Sequence, residues 1–134
     1  MATLHGSLDR SYSPVVTIAV STPVGPSQFV DAVIDTGFTG FVQLPEQRAR
    51  SLGLRPRAVS EVQYADGRTG TVPLAWATVT LGQAVREGFV HLQRGSDEAI
   101  VGLELLKIFR KIFVLSITDS LVLLVDSLAD LSVR

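Results

Sequence analysis

The sequence predicts an all-β domain that closes into a small barrel, with one or two short helices. Apolar and β-branched residues come in many short runs, each bounded by glycine, proline or aspartate. Long helical patterns do not alternate with these runs, which argues against a doubly wound sheet. Because 134 residues suit one domain, we expect a single domain over 1–134 with its core over about 13–126.

The first half of the chain predicts strands followed by a short helix. Residues 15–20 and 29–34 are apolar and β-branched, and the prolines and glycine between them predict a turn. A short extended segment is expected over 40–44. Residues 45–53 predict a helix, because proline starts the segment, an acid follows, arginines come late and glycine ends it.

The second half predicts a long hairpin. Extended runs over 59–64 and 69–81 flank the pair Asp66-Gly67. An Asp-Gly pair in this setting predicts a two-residue turn in which both residues take positive φ. We expect further strands over 88–93, 111–117 and 120–125, and a second short helix over 102–107.

The composition excludes several kinds of site. Cysteine is absent, which removes disulfides, thiolate nucleophiles and iron–sulfur ligands, and we expect a cytoplasmic protein. The two histidines, His5 and His91, are too few for a multi-histidine metal site within one chain, and we interpret both as surface or turn residues. We therefore expect neither a metal nor another cofactor.

Charge and hydropathy exclude two kinds of partner. The net charge of −1 gives no general attraction to nucleic acid, and the apolar segment 112–125 is too short and too interrupted to span a membrane. One cluster of basic residues stands out, and we interpret it as the solvated face of the first helix and its exit, because no aromatic residues interleave with it: Arg48, Arg50, Arg55 and Arg57.

The strongest candidate site is the tripeptide Asp35-Thr36-Gly37 at the end of an apolar strand. Gly37 allows the backbone to bend beside the carboxylate, and Thr36 offers a hydroxyl that can hydrogen-bond within the loop. Alone, the tripeptide is also compatible with an ordinary turn. Its context is more specific, because Val33-Ile34 precedes it and Ile100-Val101-Gly102 follows downstream, with the Asp66-Gly67 hairpin between the two.

With these motifs, the chain from about 15 to 125 resembles the retropepsin-like aspartic peptidases, particularly their small bacterial members. The resemblance implies a closed acid-protease barrel in which the central hairpin is a flap over the substrate. It implies that Asp35 is the catalytic carboxylate, in a loop completed by Thr36 and Gly37, and that Thr36 reaches across a two-fold axis. The segment Ile100-Val101-Gly102 would pack beneath this loop.

The resemblance also implies a substrate-binding set and reveals departures from the family pattern. The flap would carry Tyr64, Ala65, Asp66, Gly67 and Arg68. Phe38 stands where these enzymes usually have Ala or Ser, so its ring either narrows a substrate pocket or turns into the core. Thr39 and Leu103 stand where retroviral enzymes have an Asp–Arg ion pair, so both partners of that pair are missing together.

The chain carries one Asp-Thr-Gly, whereas aspartic peptidases need two carboxylates that share one proton. Asp66, Asp97 and Asp119 lack the apolar lead-in and the following Thr/Ser-Gly. We therefore expect a homodimeric endopeptidase that hydrolyses polypeptides with an Asp35/Asp35 pair. Two alternatives remain: an inactive barrel used for dimerisation or peptide binding, which would tolerate Asp35→Asn, and a nucleic-acid-binding barrel that uses the arginine cluster.

Overall fold

The computed structural model describes residues 3–131, so residues 1–2 and 132–134, at the ends of the predicted domain, lie outside the described part. The elements are β1 (Leu4–His5), β2 (Ser7–Leu8), β3 (Pro14–Ser21), β4 (Gln28–Ile34), β5 (Val42–Pro45), α1 (Glu46–Ser51), β6 (Ala58–Gln63), β7 (Thr69–Leu81), β8 (Ala84–Gln93), β9 (Ile100–Val101), α2 (Leu103–Ile108), β10 (Ile112–Ser116), β11 (Leu121–Val125) and a 3-10 helix (Leu128–Leu131).

Six strands close into a barrel in the order β3-β4-β9-β5-β8-β7, because β7 returns to pair with β3. Burial alternates along β7, where Ala75, Ala77 and Val79 are buried while the intervening residues are more exposed. This is the period of a strand with one face in the core. The predicted all-β barrel with two short helices is confirmed.

Two parallel pairings bring distant parts of the chain together. β4 runs parallel to β9, with Val33 opposite Ile100 and Ile34 opposite Val101. β5 runs parallel to β8 and antiparallel to β9. As a result, the loop that leaves β4 lies against the segment that leads from β9 into α2.

The predicted hairpin forms between β6 and β7, but its turn differs from the expected two-residue turn. The amide of Gly67 donates to the carbonyl of Tyr64 (2.9 Å), and the amide of Tyr64 donates to the carbonyl of Arg68 (2.8 Å). Of the pair Asp66-Gly67, Gly67 alone has positive φ, at 88°. The turn is therefore a three-residue loop that ends in a left-handed glycine, which serves the same right-handed strand twist.

Several elements were not predicted. β8 begins at Ala84, before the predicted start at Gly88. Its first residues, Ala84 to Glu87, are mostly exposed and mix apolar with charged side chains, so the sequence shows no alternating apolar pattern there. β1, β2 and the 3-10 helix are also additions. β1 joins β11 and β10 in a separate three-stranded sheet, and a two-residue strand such as β1 is too short to show a periodic signal in the sequence.

Candidate active site

The Asp-Thr-Gly loop leaves the barrel at the end of β4. Ile34 is buried, Asp35 is half-buried, and Thr36 and Gly37 are exposed. The amide of Gly37 donates to Oδ1 of Asp35 (2.8 Å), and the amide of Phe38 donates to the carbonyl of Asp35 (3.1 Å). The tight turn therefore holds the carboxylate at the surface of the chain with one oxygen oriented by the backbone.

The segment 99–104, here called the clamp, fixes this loop from below. Backbone hydrogen bonds join the two: Asp35 N to Val101 O (3.0 Å), Gly102 N to Phe41 O (3.1 Å) and Leu103 N to Phe38 O (2.9 Å). A Cβ atom at Gly102 would lie 2.4 Å from the carbonyl oxygen of Phe38 and 2.5 Å from that of Gly40. The motif therefore needs glycine at position 102, because backbone oxygen atoms come too close to its α-carbon to leave room for a side chain.

The large Phe38 side chain both packs inside the chain and borders the candidate site. Its ring meets the His91 ring edge-on, with centroids 5.1 Å apart and planes at 89°. The same ring lies over Gly40, where a Cβ atom would come within 2.5 Å of its tip. Phe38 is half-buried and still lines the groove described next, so it both packs inward and narrows the site.

Main-chain hydrogen bonds connect the regions around Thr39 and Leu103, the two positions where retroviral enzymes have an ion pair. The amide of Glu104 lies 3.3 Å from the carbonyl oxygen of Thr39 and 3.1 Å from that of Gly40. The amide of Leu103 donates to Phe38. Main-chain hydrogen bonds therefore connect the loop to α2 at the place where the retroviral pattern has charged side chains.

A groove of about 600 Å³ separates the Asp-Thr-Gly loop from the β6–β7 hairpin. Its floor includes Gln43 and His91, which are register neighbours on β5 and β8, together with Gln93. The remaining lining comes from the loop, the hairpin and the β8 exit: Gly37, Phe38, Thr39, Ser60, Glu61, Val62, Gln63, Tyr64, Val72 and Ser96. An open groove of this shape suits an extended chain.

The structure brings some of the predicted site residues together and leaves others apart. Phe38 and Tyr64 line the same groove, beside Gly37, whereas Asp35 and Thr36 lie next to its lining rather than in it. The hairpin tip, 65–68, is exposed and lies outside the groove lining. At the tip the Asp66 carboxylate accepts from the Arg68 amide (3.0 Å) and from its Nε (2.6 Å), so these two side chains engage each other.

The interpretation of His91 as a surface or turn residue is wrong. It lies within β8, is half-buried, and faces the groove. Burial lowers the pKa of His91 below its ordinary value of 6.5, and the Glu104 carboxylate opposes this shift in part. Val90 and Leu92 are buried, so strict alternation along β8 was the available signal that His91 and Gln93 share the opposite face.

The arginine cluster divides into two parts. Arg48 donates to the carbonyl of Phe29 (3.0 Å) and Arg50 pairs with Glu46 (3.4 Å). Arg55 and Arg57 line a separate pocket of about 140 Å³ next to Trp76. An aromatic ring that the local sequence lacks is thus supplied by β7, but this pocket shares no lining residue with the groove.

Two kinds of feature are absent from residues 3–131, the part of the chain that the structure describes. Within that range no group of three or more His, Cys, Asp or Glu side chains could hold a metal ion. Over the same residues, no helix has the length and apolar character needed to cross a membrane.

A protein-family model matches the region of the chain that forms this site. No curated protein matches the chain. The family model described as aspartyl protease matches residues 20–105, which is more than half of the chain. The matched region contains the Asp35 loop, the hairpin and the Gly102 clamp. The resemblance noted from the motifs is thereby confirmed, and the chain belongs to the aspartyl protease family as a retropepsin-like member.

Proposed function

We propose that this protein is a homodimeric aspartic endopeptidase in which Asp35 of two copies forms the catalytic pair. The observation that carries the proposal is a single family-type Asp-Thr-Gly loop per chain, held by the clamp beside a groove that its Gly37 lines. The carboxylate is half-buried and its turn is exposed, which suits a loop that meets its own copy.

The chemistry follows from two carboxylates about 3 Å apart, which hold one proton between them. The ionised member takes a proton from water, and the water oxygen attacks the peptide carbonyl carbon. The protonated member hydrogen-bonds the carbonyl oxygen as negative charge develops. When the tetrahedral intermediate collapses, the peptide nitrogen receives a proton and the C–N bond breaks, giving a new carboxyl and a new amine. An extended polypeptide fits the groove between loop and hairpin.

Exposed apolar residues at the start of α2 and at the end of β10 support the dimer. Leu103, which follows the clamp glycine, is 42% exposed, and Leu115 and Ile117 at the β10 end are 43% and 46% exposed. β10 is also an edge strand of the three-stranded sheet. Apolar side chains beside a free strand edge favour pairing with a second copy.

We predict that sedimentation velocity at micromolar concentration gives twice the chain mass. Leu103→Glu and Leu115→Glu together should shift the protein toward monomer, because two charges would be desolvated at each half of the interface. The wild-type protein at high dilution is the matched comparison. Cleavage by a species that stays monomeric at every concentration would contradict the Asp35/Asp35 pair.

The central test is Asp35→Asn, which should lower peptide hydrolysis by roughly 10³-fold or more while the fold persists. An amide can neither accept the proton of water nor hold the shared proton. Asp97→Asn removes the same charge from an exposed position and is the matched control. Hydrolysis of a peptide library across about pH 3 to 8 is the measurement. Equal rates for wild type and Asp35→Asn would remove Asp35 from the mechanism.

The same assay separates the alternatives. If wild type and Asp35→Asn both bind peptides without cleaving them, the protein is a peptide-binding barrel. A third outcome would favour the nucleic-acid hypothesis instead. In that case the protein would bind single-stranded nucleic acid with an affinity that falls steeply with salt and that Arg55→Ala and Arg57→Ala abolish.

A further inference from the structure

We propose that His91, flanked by Gln43 and Gln93, makes the groove select peptides with an uncharged polar side chain, glutamine or asparagine, beside the cleaved bond. This inference rests on the proposed function, because it specifies the substrate class of the same groove. The floor formed by these three residues is here called the polar row.

The polar row is a product of strand register. Gln43 and His91 are neighbours across the parallel β5–β8 pair, and Gln93 lies two residues further along the same face of β8. All three are half-buried and line the groove. Among the described residues, none of the three makes a side-chain hydrogen bond within the chain, so their donors and acceptors remain available to a bound molecule.

The walls above this floor offer both apolar and polar surface. Phe38, Val62, Tyr64 and Val72 supply the apolar part, and the polar part comes from Thr39, Ser60, Glu61, Gln63 and Ser96. A glutamine side chain has methylene groups for such walls and an amide tip for the floor. Because the tip both donates and accepts, it matches neutral imidazole and carboxamide groups.

An aliphatic side chain fits this groove less well. It would take the polar row out of water without replacing its hydrogen bonds. Sites built to hydrogen-bond a polar group reject apolar analogues for this reason. The groove therefore discriminates through its floor, whereas its walls accept either kind of chain.

Charge explains why the selected side chain is uncharged near neutral pH. Two carboxylates bear on this part of the groove: Glu104 from α2 acts electrostatically on His91, and Glu61 from β6 lines the same groove. β5 and β7 contribute Gln43 and Leu74 as its register neighbours, which do not titrate. Arg94, beyond Gln93, is exposed and pairs with Glu46 (3.6 Å). A glutamate side chain thus enters a field of negative charge while the imidazole is neutral.

Acidification changes this balance. Burial keeps the pKa of His91 below 6.5, so the imidazole gains its proton at a lower pH than a free histidine does. A protonated His91 donates from both nitrogens and offsets these two carboxylates. Preference for Gln over Glu should therefore decline as the pH falls, and that decline should depend on His91.

The experiment uses peptides that are identical except for Gln, Glu or Leu at each position next to the central bond. Cleavage is measured with wild type, and binding by fluorescence anisotropy with Asp35→Asn, from about pH 5 to 7.5. We expect wild type to favour Gln over Leu roughly tenfold at neutral pH. His91→Leu should abolish this preference. His91→Gln should keep it and lose the change with pH, which a purely structural role for His91 would not produce.

The outcomes separate this inference from the proposed function. Cleavage without a preference for Gln, or a preference unchanged in His91→Leu, would overturn the role of His91 and leave the peptidase in place. Absence of cleavage together with His91-dependent binding of Gln peptides would overturn the peptidase and support the polar row. Equal binding of Gln and Leu peptides by Asp35→Asn would also overturn it. Thermal melts of both His91 variants serve as the folding control.

Discussion

The Asp-Thr-Gly loop and the tip of the β6–β7 hairpin, 65–68, are held in different ways. The loop is tied to the clamp by backbone hydrogen bonds that join parts of the chain far apart in sequence. Over the described residues, the hydrogen bonds of the tip stay within its own turn, through the backbone of 64–68 and the Asp66–Arg68 contact. We therefore expect the hairpin tip to open locally at a lower free energy than the Asp-Thr-Gly loop.

Glycine is needed in both regions, for opposite reasons. Gly102 has an ordinary φ of −119° but no room for a side chain. Gly67 has a φ of +88° and nothing within 4 Å of a built Cβ atom. Substitution in the first case is opposed by packing against backbone atoms, and in the second by the conformation of the residue itself.

The largest expected effect comes from breaking the clamp. Gly102→Ala should destabilise the protein by roughly 3 kcal/mol and remove hydrolysis, because backbone oxygens at 2.4 and 2.5 Å cannot give way as a flexible side chain can. Urea unfolding is the measurement. Gly95→Ala is the matched control, since its φ is +79° with open space around it, and it should cost about 1 kcal/mol. Equal losses in the two variants would mean that the clamp is not the stiffer region.

A smaller effect is expected at the tip. Gly67→Val should disturb the turn and cost about 1–2 kcal/mol, because a β-branched residue resists positive φ. Turnover should fall more than stability does, and amide exchange should rise at Tyr64 while it stays low at Leu103. If turnover survives the change intact, the hairpin is not a functional flap.

The sequence allowed the barrel and the loop to be predicted because their signals are local. An apolar strand that runs into Asp-Thr-Gly is visible in consecutive residues, as is Ile100-Val101-Gly102. The shape of the hairpin turn was wrong in detail because Asp-Gly is compatible with more than one loop length.

The polar row could not be predicted in the same way. Gln43 and His91 meet only through the parallel register of β5 and β8, and register between distant strands leaves no mark in either segment alone. The sequence also gave no indication that Trp76 lies beside Arg55 and Arg57, for the same reason. Features formed by consecutive residues, such as the Asp-Thr-Gly loop, could be predicted from the sequence. Features that depend on pairing between distant strands, such as the polar row, could not.

The smallest expected effect concerns pH and again distinguishes loop from tip. His91 packs against Phe38 of the loop, and burial lowers its pKa from 6.5. The unfolded chain therefore binds the proton more readily than the folded chain, so stability is highest above pH 6.5 and declines as the pH falls through the folded pKa. The Glu104 carboxylate limits this decline.

We predict that His91→Gln, which keeps a polar side chain but cannot titrate, has a shallower decline than wild type. The measurement is the free energy of unfolding in urea at about pH 7.5 and 5.5 for both proteins, since the carboxylates titrate in both and cancel in the comparison. In wild type, acidification should raise amide exchange at the clamp more than at the hairpin tip, because His91 contacts the loop. An identical pH dependence in the two proteins would show that burial of the imidazole does not bias the fold toward its neutral form.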